Sequence, residues 1–389
     1  MAKINILQVN TSDLVGGAEK IGLTLHQGYQ KRGYNSWLAV GKKKSTLPEI
    51  MPINQEVDHG WGKFWLTIGN SLSPFAEKNK IAAKIQHLLV SRLGQPHRWL
   101  KEKLGQENFY FPASNRILDL PPQKPDILHC HNLHGNYFDL NHLALFSQQI
   151  PVILTLHDAW LLSGHCAHSL GCDRWKTGCG QCPYLTIYPA IQRDGTAYNW
   201  HKKREIYARS KLYVVTPSNW LMSQVEQSIL KKAVVKSKVI PNGIDLSIFK
   251  PVDKYLAREK LGISQNAKIL LFTANFIQNK NPFKDYETIQ GAVQQLAENF
   301  QGGELILLVL GDFQPSKEIG NAKIQFIPFQ QDSSIVAYYY QAADVYVHGA
   351  KADTFPNIAK FHYLSTQDNY WVYHDHYSKT PLPFFHLHG

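Results

Sequence analysis

Two groups of side chains in this 389-residue chain have the types and spacing to do chemistry, and both lie in Thr155–Pro183, TLHDAWLLSGHCAHSLGCDRWKTGCGQCP. The first is His157-Asp158, at the end of a short apolar run, Pro151–Leu156. An imidazole there can hydrogen-bond a sugar hydroxyl or a phosphate, and an adjacent carboxylate can orient or charge it. A satisfied structural histidine is the competing reading. His129 and His131 alternate in DILHCH, which puts both on one face of a strand and favours the functional reading. The second group is Cys166, Cys172, Cys179 and Cys182, four of the five cysteines, spaced C-x5-C-x6-C-x2-C. The x2 pair lets two thiolates reach one tetrahedral ion, with His165 and His168 as reserve ligands. Structural zinc is the leading reading; free or redox-active thiols and disulfides are the alternatives. Four ligands would leave no open position, so a catalytic zinc is not expected.

Such side chains need elements to hold them. Ile4–Val9 alternates and is β-branched, as a first strand should be. The loop NTSDLVGG follows, then Ala18, Ile21, Leu25 and Tyr29 at helical spacing, with Gly33 as the helix stop. Gly16-Gly17 allows close backbone approach to a ligand at a helix N-terminus, where free N–H groups favour anions; on the glycines alone, a tight structural turn is the leading reading. Strands are expected at 37–40, 126–131, 151–156, 212–215 and 239–240, and Ser218 can cap a helix beginning at 219. Residues 43–124 carry little strand pattern, and Lys80–Leu93 is amphipathic in places. This insert packs on the core, lines an acceptor site, or touches an anionic membrane. After a turn at Pro241–Asp245 the pattern repeats. KILLFTA (268–274) and ELILLVL (304–310) are buried strands, a helix spans 286–300, and further strands fall at 323–327 and 344–347. Lys284 follows the first of these strands, where a lysine suits a diphosphate. The expected architecture is α/β: two Rossmann-type doubly wound domains, 1–245 and 246–359, facing a cleft.

Composition narrows the classes. The chain is 44% hydrophobic and 18% charged, as globular proteins are. No run of 18 apolar residues exists, and MAKINILQVN lacks the apolar segment and small-residue cleavage site of a secretory signal. A cytoplasmic protein is expected, with a peripheral place on the inner membrane face as an option. There thiols stay reduced, which favours metal over disulfides. The net charge of +11 suits anionic partners, but no base-reading spacing is present, so nucleic acid is not expected.

Taken together, NTSDLVGGAE, DILHCHNLHG, TLHDAW, the cysteine segment, VTPSNW, VIPNGIDLSIFKP and ADVYVHGAKADTFPN resemble a retaining glycosyltransferase of family 4 with the GT-B architecture, of the bacterial surface-polysaccharide type. The likeness spans residues 4 to about 359. It implies transfer of a sugar from a nucleotide-diphosphate donor to a glycan or lipid-linked hydroxyl, with retention and no catalytic metal. It also implies roles: His157 at the donor sugar, Gly16 and Gly17 near the donor phosphates, Lys284 on the diphosphate, Asp353 as the first acid of an E-x7-E motif, and Thr354, Phe355 and Asn357 beside the donor. Three departures stand out. Gln278, Asn279 and Phe283 occupy the region of the usual arginine, Phe361 stands where the second acid would fall, and the CGTP-like turn is missing. Residues 360–389 hold five histidines, many aromatics and no period. An interruption near Ala359–Lys360 that leaves the donor domain incomplete is therefore expected, with a natural His-rich metal-binding tail as the rival; an enzyme is the leading reading of the chain, and a catalytically dead glycan- or nucleotide-binding remnant is the alternative.

Overall fold

The computed structural model describes residues 3–14, 16–54, 60–76, 79–107, 109–274 and 283–355, together with Ser365 and the strand at 371–375. The chain divides into two compact units, Met1–Pro241 and Asn242–Gly389. The interruption expected near Ala359–Lys360, and Asn357, expected beside the donor, fall outside the described residues.

Unit 1 runs β1 (Asn5–Ser12), α1 (Gly17–Lys31), β2 (Asn35–Lys42), β3 (Ile50–Pro52), α2 (Gly60–Ser71), α3 (Ser73–Ala76), α4 (Lys80–His87), α5 (Pro96–Lys103), β4 (Ile127–Cys130), α6 (Asn141–Phe146), β5 (Val152–Thr155), α7 (Thr196–Tyr207), β6 (Leu212–Thr216), α8 (Asn219–Gln227) and β7 (Val234–Val239). Its seven strands are parallel in the order β3-β2-β1-β4-β5-β6-β7. Central strands buried on both faces need continuous apolar runs. Leu7 and Val9 of β1, Leu128 of β4 and Leu154 of β5 accordingly have no exposed surface. The outer β7, VVKSKV, is largely exposed, and its lysines blunt a free edge. Local signals hold where they were strong. Gly33 is left-handed at φ 85°, and the Ser218 hydroxyl accepts from the Leu221 N–H at 3.2 Å to start α8. Within 43–124 the short β3 was not anticipated, because three residues are too few to show a period.

Unit 2 runs α9 (Lys254–Leu261), β8 (Lys268–Thr273), α10 (Tyr286–Asn299), β9 (Leu305–Leu310), β10 (Lys317–Ile319), β11 (Ala322–Ile327), α11 (Ser333–Ala342), β12 (Val345–Ala350) and β13 (Trp371–Asp375). The sheet order is β10-β11-β9-β8-β12-β13, with β10 antiparallel and the other five strands parallel. Every residue of β9, LILLVL, is buried, with one apolar cluster on each face of the sheet. At about 1.5–3 kcal/mol for each large side chain, this strand supplies much of the unit's driving force. One expectation is corrected here. The segment read as having no strand pattern contributes β13, whose Trp-Val-Tyr run has the aromatic and β-branched character of a strand and pairs with β12.

Candidate active site

In both sheets the strand order reverses beside the first strand of the unit, between β1 and β4 in unit 1 and between β8 and β12 in unit 2. Connections leave in opposite directions at such a point, so a crevice opens at the carboxyl ends of the strands. The residues singled out from the sequence collect at these two places.

In unit 1, β1 leads through the glycine loop into α1. Gly16 has φ 126°, a backbone conformation that glycine adopts without strain, and a Cβ there would displace the flexible carboxylate of Glu19, 2.0 Å away. Beside Gly17 nothing lies within 4 Å of where a Cβ would stand. Glu19 sits in the first turn, and burial raises its carboxyl pKa.

Three histidines stack across the ends of β4 and β5. Ring centroids are 4.5 Å apart for His129–His131 and 5.3 Å for His131–His157. His131 Nδ1 is 3.0 Å from His157 Nε2. On the other side, the Gln8 amide, oriented to satisfy its neighbours, donates to His131 Nε2 at 2.9 Å and accepts from the His26 N–H at 3.0 Å. This chain of bonds sets the tautomers: His131 Nε2 accepts a hydrogen bond from the Gln8 amide, its Nδ1–H donates to His157 Nε2, and His157 keeps its proton on Nδ1. Burial, reinforced by His157, pushes His129 down to about 4. Burial also takes His157 down to about 4, with Asp158 pulling the other way, and holds His131 well below the ordinary value. The stack is therefore neutral at pH 7. His129 is held by Thr155 Oγ1 at 2.8 Å and Tyr29 Oη at 3.3 Å.

The expected pairing of Asp158 with His157 is corrected. Asp158 Oδ2 accepts from His134 Nε2 at 2.8 Å, and its Oδ1 accepts from the Trp160 N–H at 2.9 Å. Burial opposes charge on both groups, but each stabilises the other, so His134 is raised and Asp158 lowered. Glu19 lies within electrostatic reach of this pair. His134 was missed in the sequence reading. The only signal was its place in the NLHG loop after a neighbouring strand.

A buried cation, also missed, anchors the Asp158–Ser163 turn. Lys203 of α7 donates to the carbonyls of Trp160 at 2.9 Å and Ser163 at 3.1 Å, lies 3.7 Å from the Trp160 ring centroid, and pairs with Glu107 at 3.1 Å. Glu107 also accepts from Trp160 Nε1 at 2.7 Å.

The four clustered cysteines are free thiols that line one cavity of about 20 Å³ with His165, whose Nε2 is 3.4 Å from Cys182 Sγ. Burial pushes Cys166 up to about 11 and Cys179 up to about 12. Among the described residues, no group of three or more His, Cys, Asp or Glu side chains already converges closely enough to hold a metal ion. Backbone at Cys179, Gly180 and Gln181 is left-handed, which folds the x2 segment tightly.

In unit 2, Lys284 Nζ is 3.0 Å from Asp353 Oδ2, just past the ends of β8 and β12. Asp353 Oδ1 accepts from the Phe355 N–H at 3.1 Å, and His348 Nε2 is 3.9 Å from Oδ2. Burial opposes the charge on Asp353, but Lys284 and His348 together hold its pKa below the usual range. Burial and Lys284 push His348 down to about 4. Lys284, Asp353, Thr354 and Phe355 thus form one local group.

The model of Glycosyltransferase Family 4 matches residues 15–248, more than half of the chain. The colanic acid biosynthesis glycosyl transferase WcaC of Escherichia coli (strain K12) is 26% identical over 255 residues, 63% of this chain and 55% of that protein. The match thus spans about half the length of that relative. Among solved structures, sucrose-phosphate synthase from Thermosynechococcus elongatus superposes with a TM-score of 0.53 at 16% identity, covering 92% of this chain and 79% of its own. The α,α-trehalose 6-phosphate synthase of Burkholderia multivorans gives 0.50 at 8% identity, covering 94% and 82%. These likenesses show the shared fold.

Proposed function

This chain belongs to glycosyltransferase family 4, and we propose that it transfers a sugar, with retention, from a nucleoside-diphosphate sugar to a hydroxyl of a glycan or lipid-linked acceptor. The observation that carries the reading is the placement of polar groups of the right kind at the switch point of each sheet. Gly16, Gly17 and the His131–His157 stack stand at one, and Lys284 with Asp353 stands at the other. In the reaction the bond between the anomeric carbon and the diphosphate oxygen breaks. The acceptor oxygen bonds to that carbon on the same face, and its proton leaves with the nucleoside diphosphate.

Each group has a part suited to its state. His157 is neutral, with Nε2 engaged by His131, so it can hydrogen-bond the donor sugar without bringing charge. Lys284 supplies positive charge for the diphosphate, and the N-terminus of α1 adds a favourable dipole. Asp353 holds Lys284 in place and lies where the first acid of the family motif falls; Thr354 and Phe355 bring backbone to the same point. Beside the site, the cysteine loop acts as a brace. A structural zinc held by Cys166, Cys172, Cys179 and Cys182 would require their side chains to rotate into the shared cavity and lose their protons. The relation to WcaC points to polysaccharide biosynthesis as the setting.

Release of nucleoside diphosphate from UDP-, GDP- and ADP-sugars, with and without oligosaccharide acceptors, tests the assignment. Turnover with one donor, lowered about 100-fold or more in His157→Ala, is the expected result. Donor or glycan binding without turnover would instead identify a binding module and overturn the catalytic reading.

A further inference from the structure

Charge and exposed apolar surface are concentrated together in one part of unit 1. Residues 60–104 hold eight Lys or Arg against two carboxylates, Glu77 and Glu102, a surplus of six within a chain whose net charge is +11. Glu102 is already paired with Arg98 at 3.0 Å. The same segment, α2 to α5, leaves large apolar side chains in water. On α4, Ile81 is 68% exposed, Ile85 45% and Leu88, just beyond, 40%. These sit at i, i+4 and i+7, one stripe along the helix. Phe75 of α3, which packs beside α4, is 65% exposed, and Phe64 of α2 56%. Lys80 and Lys84 each precede a stripe isoleucine by one position and are exposed. A stripe of this kind normally faces a core; here it faces outward, edged with cations.

We propose that the 60–104 insert is a docking surface for an anionic lipid bilayer, on which the α4 stripe and Phe75 enter the headgroup–acyl boundary and the flanking lysines meet lipid phosphates. The charge selects this occupant. An apolar protein partner would not require a surplus of six cations, and a nucleic acid would not require exposed isoleucine and phenylalanine. An amphipathic helix with a basic border suits neither as well as it suits an anionic interface. Among the described residues no helix is long and apolar enough to cross a membrane, so the contact is peripheral. The surface is separate from the histidine stack and does not depend on its role.

Sedimentation of the full chain with phosphatidylcholine vesicles, with and without 30% phosphatidylglycerol, tests the proposal. Binding is expected to the anionic vesicles, weakening on going from 0.1 to 0.5 M salt. Each basic residue near such a surface contributes roughly a fivefold factor, so Lys80→Gln/Lys84→Gln should bind about 25-fold more weakly. Ile81→Ser/Phe75→Ser should weaken binding at both salt concentrations, because the apolar contribution is not screened. Thermal melting of each variant, together with its donor hydrolysis in the absence of lipid, confirms that the fold is kept. Equal binding to neutral vesicles, wild-type binding by both folded variants, or no binding to either vesicle would overturn the proposal. So would salt-sensitive binding to single-stranded DNA in preference to phosphatidylglycerol.

Discussion

Lowering the pH should destabilise unit 1 through its histidine stack. His129 and His157 are buried with pKa values pushed down to about 4, whereas a histidine in an unfolded chain titrates near 6.5. As pH falls, the unfolded state takes up protons first. The stability contributed by the neutral rings is therefore complete above about pH 6.5 and is lost between there and about pH 4. By the linkage relation, each ring costs about 2 kcal/mol at pH 5 relative to pH 7.5. His131 lies between the two and is held lower still, so the three titrate as a coupled group. About 4 kcal/mol for the pair is a large part of the 5–15 kcal/mol by which domains are stable. Eight of the nine tryptophans lie in unit 1, so tryptophan fluorescence during urea unfolding reports on the right unit. The free energy of unfolding should drop by at least about 4 kcal/mol between pH 7.5 and 5, and by about 2 kcal/mol less in His129→Gln. A profile flat across that range, or an unchanged slope in His129→Gln, would refute the claim that these imidazoles are buried and neutral.

Two further predictions concern the frame around the site. Lys203→Met leaves Glu107 buried without its cation and should cost about 3–5 kcal/mol, read as a fall in the urea midpoint; the double variant Lys203→Met/Glu107→Gln should recover part of it. Elemental analysis of the purified chain should find about one zinc, reduced in Cys179→Ser, and a zinc-free chain with an intact fold would dispose of the structural-zinc proposal.

The sequence by itself determined what depends on near neighbours along the chain. Period-two and apolar runs named the central strands of both sheets, with β9 buried throughout, but not β3, β10, β13 or most of β7. Gly33 and Ser218 marked helix ends, the thiols stood out by spacing, and contiguous motifs carried the family. Each of these is decided within a few residues by backbone geometry and side-chain periodicity. Which distant groups meet was decided by the tertiary structure alone. The order β3-β2-β1-β4-β5-β6-β7 set the switch point between β1 and β4. Packing then brought Asp158 to His134 instead of His157, Lys203 to Glu107 across 96 positions, and Lys284 to Asp353 across 69. Lys203 lay in an unremarkable polar helix, and His134 in a polar loop. A buried charge must find its partner wherever the fold brings one, and no local pattern encodes that choice.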